Sequence, residues 1–349
     1  MRTVSRALLQ RRQQALRLAL RLVLPLVLQS ALAVLAPVAM AQGGPAEAQG
    51  GAAIPRGSPG LLVRGTATGG PVEWVSFDRR TRAVLSRRPL PLACERLHAA
   101  GGRIACLRYN RTLRASQIDL FDLSLAPVYQ NPIQSNSVIS RTRVSSDGRF
   151  AACTVFASGH SYSTPGFSTM THVWDIQQRR LVFELDKLIL THEGQMVPYT
   201  PQTQINYWGV TFDPRESDRF FVTVTIRRRA YLAEGSVSRA SARTLRADVE
   251  CPSFSPDGTR IAFKKLRADK RGWDPAVLDL RTGQETVYRA AKGLDDQIEW
   301  FDNETVIYEA TETRMGGAKT DLMLLDVSTP NSRERLWLEN AASPAVLRR

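Results

Sequence analysis

The sequence has few residues of the kinds that build catalytic and metal sites. Among its 349 residues are only four histidines and four cysteines. No cysteine pair has the CxxC spacing and no Cys/His group has zinc spacing, so redox catalysis and structural zinc are disfavoured. The motifs GxSxG, HExxH and GxxxxGKS/T are also absent, which removes the linear signatures of several large enzyme classes. The sequence therefore favours a protein that is not an enzyme and has no cofactor.

Acidic residues are outnumbered by basic ones, and the formal net charge is +14. The arginines are dispersed along the chain, for example at Arg79-Arg80, Arg179-Arg180 and Arg227-Arg228-Arg229. A nucleic-acid-binding face would gather such residues on one side with aromatic residues between them. Nucleic acid is therefore not an expected partner, and the basic surface is expected to be solvated, with a leaning towards anionic lipid or polymer.

Residues 1–41 contain no acidic residue but hold six arginines, an apolar stretch at 22–36 and the tripeptide Ala-Met-Ala immediately before Gln42. A basic start, an apolar centre and a small-x-small site predict a signal peptide over 1–41 and export to the periplasm or an equivalent extracytoplasmic compartment. The alternative is an uncleaved anchor, but two prolines and a glutamine interrupt the longer apolar stretch at 18–40. Cleavage would leave no stable transmembrane span and a net charge of +8.

Residues 42–60 are mostly Gly, Ala and Pro, a composition that predicts a flexible linker without a core. The folded domain is then expected over 61–349. A monomer is expected.

A recurring hairpin dominates this domain. In VECPSFSPDGTRIAF, the tetrad Ser255-Pro256-Asp257-Gly258 separates two strand-type runs. Proline presets the turn, aspartate caps it and glycine supplies a positive φ. A second copy is centred on Asp147-Gly148, and CERLHAAGGRIAC, from Cys94 to Cys106, is a degenerate third.

A second type of hairpin follows each of these, as in AVLDLRTGQETVYR, with an acidic residue where one strand ends. These acidic residues are Asp78, Asp122, Asp175, Glu234, Asp279 and Asp326. Their spacings of 44, 53, 59, 45 and 47 residues are near the roughly 40–50 typical of four-stranded propeller blades. The sequence therefore predicts an all-β fold, a six-bladed β-propeller of four-stranded antiparallel blades. The C-terminal strand, at about 342–347, is expected to join the first blade and close the ring.

Four cysteines in an exported chain suggest disulfide chemistry. Cys94 and Cys106 fall on neighbouring strands of one predicted hairpin, so a bridge between them is the candidate disulfide. Cys153 and Cys251 belong to different blades and are expected to be buried thiols.

Propellers bind ligands at the ends of the central channel, so the segments that lead into the innermost strands are the candidate site. The candidate ligand-binding residues at this channel mouth are Asn206, Trp208, Glu250, Asp295, Asp296 and Gln297, with His160 from a long insertion at its edge. Carboxylates, amides and indole rings suit a basic or extended peptide or a glycan, and they leave calcium open as an alternative to the expectation of no metal. The competing interpretation is structural, with the aspartates capping a turn and the tryptophans packing between blades.

The segments SPDGTRIAF, LDLRTG and WDIQQRR, behind a predicted signal peptide, resemble the TolB-type six-bladed propellers of bacterial envelopes. VECPSFSPDGTRIAFKKL, LDDQIEW and NYWGVTF are similar to an exported TolB-like branch. The resemblance covers residues 61–349 and implies a propeller. TolB has an N-terminal α/β domain, and a Gly/Ala-rich tether stands in that place here, so the resemblance does not extend to a role in the Tol–Pal system.

Two functions are compatible with these patterns. The first is an exported, non-catalytic scaffold that binds an envelope protein, peptide or glycan in envelope maintenance or translocation. The second is a propeller enzyme that acts on envelope glycans with carboxylates at the channel mouth. Two carboxyl groups about 5–10 Å apart around an open cavity would favour the enzyme.

Overall fold

The computed structural model describes residues 53–55, 59–66, 70–135, 137–162, 166–290, 293–294, 297–314 and 317–348. The predicted signal peptide lies outside these residues. Of the predicted linker, residues 53–55 and 59–60 are described. Ile54 is 3% exposed and packs with Trp74 and Leu90. Its N–H donates to the carbonyl of Leu123 at 3.4 Å, so this short segment contacts the domain that follows.

The described residues form an all-β structure with one short 3-10 segment, Leu185–Lys187. The strands in chain order are β1 (Gly60–Gly65), β2 (Pro71–Phe77), β3 (Val84–Ala93), β4 (Arg96–Ala100), β5 (Arg103–Asn110), β6 (Ala115–Asp122), β7 (Pro127–Ser135), β8 (Val138–Val144), β9 (Phe150–Ser158), β10 (Ser168–Asp175), β11 (Arg180–Glu184), β12 (Ile189–His192), β13 (Gln195–Met196), β14 (Asn206–Phe212), β15 (Arg219–Ile226), β16 (Arg229–Ser236), β17 (Ser241–Ala247), β18 (Glu250–Phe254), β19 (Arg260–Leu266), β20 (Trp273–Asp279), β21 (Glu285–Val287), β22 (Gly293–Leu294), β23 (Glu299–Trp300), β24 (Thr305–Arg314), β25 (Gly317–Asp326), β26 (Arg335–Leu338) and β27 (Ala341–Val346).

These strands form six antiparallel blades. From the innermost strand outwards, blade 1 is β27-β1-β2-β3, blade 2 is β4 to β7, blade 3 is β8 to β11, blade 4 is β14 to β17, and blade 5 is β18 to β21. In blade 6, β22 and β23 both pair with β24, followed by β25 and β26. The innermost strands contact one another around a ring in the order β27, β4, β8, β14, β18 and β23. The predicted six-bladed propeller is therefore confirmed.

The C-terminal strand closes the ring as predicted. Leu61 pairs with Val346 and Gly65 with Ala341, so β27 is antiparallel to β1 in the same blade. Both ends of the domain thus contribute to one sheet, in which β1 is paired on both sides, with β27 and with β2.

The Ser-x-Asp-Gly turns have the geometry that the sequence predicts. The N–H of Gly258 donates to the carbonyl of Ser255 at 2.8 Å, and the N–H of Thr259 donates to the carboxylate of Asp257 at 3.0 Å. Gly258 has a φ of +68°, in the left-handed region that glycine enters at low cost. The copy at 145–148 makes the equivalent turn, with Gly148 at a φ of +70°.

Of the six acidic residues predicted to end a strand, all except Glu234 are the last residue of a strand or follow it directly. Asp279, for example, accepts the N–H groups of Arg281 and Thr282 at 2.9 and 2.7 Å, which satisfies the turn backbone. Glu234 is different, because it lies inside β16 and pairs with Arg219 and Arg243. In its blade, the carboxylate of Asp218 binds the turn N–H of Ser238 instead, at 2.7 Å.

The two longest spacings between these acidic residues, 53 and 59 residues, reflect additional segments in blades 3 and 4. The nine residues between β9 and β10 lengthen blade 3, and β12 and β13 are added to the outer edge of blade 4. β12 pairs with β17 in parallel.

Cys94 and Cys106 form a disulfide bond. Cys94 lies in the connection before β4 rather than on a strand, and Cys106 is on β5. Cys153 and Cys251 are free and buried, and burial raises the pKa of the Cys153 thiol to about 12.

Candidate functional site

The channel has two distinct ends because all innermost strands run in the same direction around the ring. We call the end where these strands begin the entry face, and the end where they finish the exit face. Asn206 and Glu250 are the first residues of β14 and β18, and Gln297 precedes β23 by two residues. The sequence therefore predicted a site on the entry face.

An entry-face cavity of about 620 Å³ lies between blades 3 and 4. Its lining comes from the β9–β10 connection, the segment before β14 and the turn between β15 and β16. The lining residues are Tyr162, Gly166, Phe167, Ser168, Thr169, Tyr199, Gln204, Ile205, Asn206, Thr225 and Arg228. We call this space the entry cavity.

Asn206 links β14 to the segment around Thr169 across the entry cavity, and one hydrogen of its side-chain amide has no acceptor among the described residues. Its side-chain oxygen accepts the backbone N–H of Thr169 at 2.9 Å, and its amide nitrogen donates to the carbonyl of Phe167 at 3.5 Å. The amide nitrogen carries two hydrogens. The second has no acceptor within the described part of the chain, so Asn206 can still donate a hydrogen bond into the cavity.

An aromatic cluster forms one wall of the entry cavity. The ring of Tyr162 lies 5.4 Å from Trp208, and Phe167 lies 5.2 Å from Trp208 in an edge-on arrangement. The Tyr162 hydroxyl hydrogen-bonds with the hydroxyl of Ser140 at 2.5 Å, which fixes the ring. Trp208 is 2% exposed, so it supports the wall and does not line the cavity itself.

Glu250 belongs to the support beneath this wall. One of its carboxylate oxygens accepts the indole N–H of Trp273 at 3.0 Å. The ammonium of Lys264, a fully buried residue, lies 3.9 Å from the centre of the Trp273 ring and 5.0 Å from that of Tyr162. Such cation–π contacts fix the orientation of the two rings.

The channel itself is narrowed by a buried charge cluster, which we call the axial cluster. Its members are Arg143, Glu299, Arg348 and His98. The carboxylate of Glu299 binds Arg143, accepts from Arg348 at 2.7 Å and lies 3.6 Å from His98 Nε2. Glu299 and Arg143 line both a space of about 20 Å³ on the side of Gln297 and a larger cavity at the exit face.

The axial cluster sets the charges of its members. Burial opposes ionisation of Glu299, but Arg143 and Arg348 outweigh it and hold the pKa of this carboxyl well below its usual range. Burial, followed by the charge of Arg143, lowers the pKa of His98 from 6.5 to about 4. His98 Nδ1 accepts the N–H of Val144 at 3.0 Å, so the imidazole is neutral at pH 7 with its proton on Nε2.

The predicted site residues are not all together. Asn206 lines the entry cavity, Trp208 and Glu250 lie in its supporting wall, and Gln297 donates to the carbonyl of Pro252 at 2.8 Å deeper in the channel. His160 is exposed and is not among the lining residues of the entry cavity. Asp295 and Asp296 lie outside the described residues.

Sequence reasoning missed the principal lining residues of the entry cavity. Tyr162, Tyr199 and Arg228 come from connections and Thr169 is the second residue of β10, so none of them is at the end of an innermost strand. One signal was available, since an aromatic residue in an unusually long connection requires a partner to bury against.

Within the described residues, no three or more His, Cys, Asp or Glu side chains are grouped so that they could hold a metal ion. Over the same part of the chain, no helix has the length and apolar character needed to span a membrane.

Comparisons with known proteins agree with the fold. No protein-family model matches the sequence, and no curated protein matches it. The structure is similar to that of TolB from Acinetobacter baumannii, with a TM-score of 0.56 and 16% identity over 83% of this chain and 66% of that one. It is also similar to a protein from Agrobacterium tumefaciens assigned as TolB, with a TM-score of 0.50 and 11% identity over 82% of this chain and 91% of that one. At these identities the likeness shows the fold alone, and the chain is a six-bladed β-propeller with a fold similar to that of these two proteins.

Proposed function

We propose that this protein is an exported, non-catalytic binding module of the bacterial envelope that holds an extended segment of a partner protein in the entry cavity. The observation that supports this most strongly is the composition of the cavity. The cavity combines a fixed aromatic wall with the side-chain amide of Asn206, which donates only one of its two hydrogens to an acceptor among the described residues.

The features of the entry cavity suit an extended peptide. The Asn206 amide can donate to a peptide carbonyl, and the rings of Tyr162 and Phe167 offer apolar surface to a side chain. Tyr199 is 61% exposed at the rim, and Arg228 adds an exposed cation that can meet an acidic side chain. A mostly apolar cavity with a few fixed polar groups is typical of binding sites.

The compartment and the role of the module are part of the proposal. The predicted signal peptide at 1–41 and the TolB-like fold support a place in the periplasm. A partner in that compartment would take part in envelope maintenance or translocation.

An enzyme that cleaves envelope glycans is less well supported. Glycosidic chemistry requires one carboxyl group that is protonated and can act as a general acid. Glu299 is kept ionised by two arginines, and Glu250 is bound to the Trp273 indole in the supporting wall. Neither is placed as such an acid.

The test is affinity capture from an envelope extract with the mature chain and with the Asn206→Ala variant. The proposal predicts that mass spectrometry identifies a protein retained by the wild type and depleted at least about tenfold on the variant, because a half-buried amide that both supports the wall and binds ligand is lost. The matched control is Asn303→Ala, which alters an amide in the turn after β23, away from the entry cavity. Equal recovery on the wild type and Asn206→Ala would refute the site, and release of glycan fragments by the wild type would support the enzyme instead.

A further inference from the structure

A second cavity occupies the exit face of the channel, opposite the entry cavity. Its volume is about 370 Å³, and it lies on the axis of the ring. Five innermost strands contribute lining residues, among them His98, Arg143, Thr211, Ser253 and Glu299, and Arg348 follows the sixth. We call this space the exit vestibule.

The charged groups around the exit vestibule leave a surplus of positive charge. Arg143 and Arg348 line it, and Glu299 is the one carboxylate among its lining residues. His98 also lines it and is neutral at pH 7. Counted over the described lining residues, two guanidinium groups and one carboxylate leave a net charge of +1 in a partly desolvated space, where an opposite charge is favoured.

The polar groups around the vestibule also have unused hydrogen-bond donors. The hydroxyl of Ser253 accepts from Arg143 at 3.0 Å, and that of Thr211 accepts from the N–H of Phe254 at 3.2 Å. Each hydroxyl still has its own proton to donate, and neither has an acceptor among the described residues. Both residues are at most 5% exposed.

Arg348 provides further unused donors. Its Nη2 donates to Glu299 and to the carbonyl of Trp300, which leaves Nε and Nη1 without a partner in the described part of the chain. The side chain is 35% exposed, so these groups can be reached by a ligand. A ligand that fits this environment must supply several acceptors and a negative charge.

We propose that the exit vestibule is a second binding site, which takes a small oxyanion, a carboxylate or a phosphate group, on Arg348 with the hydroxyls of Ser253 and Thr211. Carboxylates and phosphates offer paired acceptor oxygens that match a guanidinium group. The proposal is independent of the proposed function, because the two cavities lie on opposite faces of the propeller and share no lining residue.

The test is isothermal titration calorimetry of the mature chain in a low-salt buffer free of phosphate and carboxylate. The probes are inorganic phosphate and acetate, titrated separately so that the two oxyanion classes are distinguished, with methylammonium as a cationic control. We expect saturable binding of at least one oxyanion at one site per chain and none of methylammonium.

Three variants locate the site. Arg348→Gln should weaken oxyanion binding about tenfold or more, the effect of losing hydrogen bonds to a charged group. Thr211→Val should weaken it in the same direction while Arg348 stays in place. Arg335→Gln, a change of an exposed arginine on β26, should leave affinity unchanged.

Two results would overturn the proposal. One is the absence of saturable binding of either oxyanion to the wild type. The other is equal weakening by Arg335→Gln and Arg348→Gln, which would mean that the anion responds to total charge and not to the vestibule. Circular dichroism of each variant excludes loss of the fold as the cause of weaker binding.

Discussion

Replacing Glu299 with glutamine should destabilise the propeller strongly. The Glu299 side chain is 3% exposed and joins Arg143, Arg348 and His98, which come from three different blades. Glutamine keeps the size and one acceptor oxygen but removes the charge, so the buried guanidinium of Arg143 loses its counter-ion. Removal of one partner from a buried ion pair costs about 3–5 kcal/mol. That is a large part of the roughly 5–15 kcal/mol by which domains are stable.

The pH dependence gives this prediction a second, independent signature. Because the folded-state pKa of Glu299 is lowered, the stabilisation by its carboxylate is complete above the unfolded-state pKa of about 4.3 and is lost as the pH falls towards the folded-state pKa. The difference in free energy of unfolding between wild type and Glu299→Gln should therefore be large at pH 7 and shrink below about pH 4.

The assay is equilibrium urea unfolding followed by tryptophan fluorescence at pH 7 and at acid pH. The matched control is Asp248→Asn, which removes the carboxylate of an exposed pair with Arg229, with an N–O distance of 3.4 Å, and should cost under about 1 kcal/mol. A loss below about 1 kcal/mol for Glu299→Gln at pH 7, or a difference that does not shrink in acid, would show that the buried charge of Glu299 does not stabilise the fold.

Three further predictions concern stability. His98→Gln should reduce the change in the free energy of unfolding between about pH 6.5 and 4. In this range the unfolded wild type binds more protons than the folded wild type, so the wild-type protein loses stability as the pH falls. Urea titrations at several pH values in this range measure the slope. Cys94→Ala combined with Cys106→Ala should lower the free energy of unfolding by about 2–3 kcal/mol, compared with the oxidised wild type, and a change under 1 kcal/mol would contradict a loop-closure role. Gly148→Ala should lower the thermal midpoint more than Gly102→Ala: both have a φ of +70°, but the added methyl would lie 2.3 Å from the Gly101 carbonyl oxygen at Gly148 and meets nothing within 4 Å at Gly102.

The blade arrangement could be predicted because its signals are local. The Asp-Gly turns at 147–148 and 257–258 determine where one strand ends and the next begins within a few residues of sequence. The strand β12 could not be predicted in the same way, because it pairs in parallel with β17 about fifty residues later. This parallel pairing forms only once blade 4 has folded, so no local sequence pattern predicts it.

The candidate site was harder to predict because the innermost strands are irregular at their starts. β14 shifts register between Trp208 and Thr211, and β18 does so between Glu250 and Ser253. A register shift changes which side chains lie on a given face of the strand, so position along the chain alone does not show that Trp208 is buried and that Glu250 binds the Trp273 indole. The axial cluster has a different obstacle, since Arg143 and Glu299 are 156 residues apart and meet only in the closed ring.

Site-specific photo-crosslinking in the envelope of a producing cell shows directly whether a partner protein occupies the entry cavity. A benzophenone amino acid would replace Tyr199, which is 61% exposed at the rim of the entry cavity. The control position is Leu245, which is 41% exposed on the outer strand of the same blade. We expect a discrete adduct with a partner protein from position 199 and none from position 245. No adduct from position 199, or the same adduct from both positions, would contradict a binding site in the entry cavity.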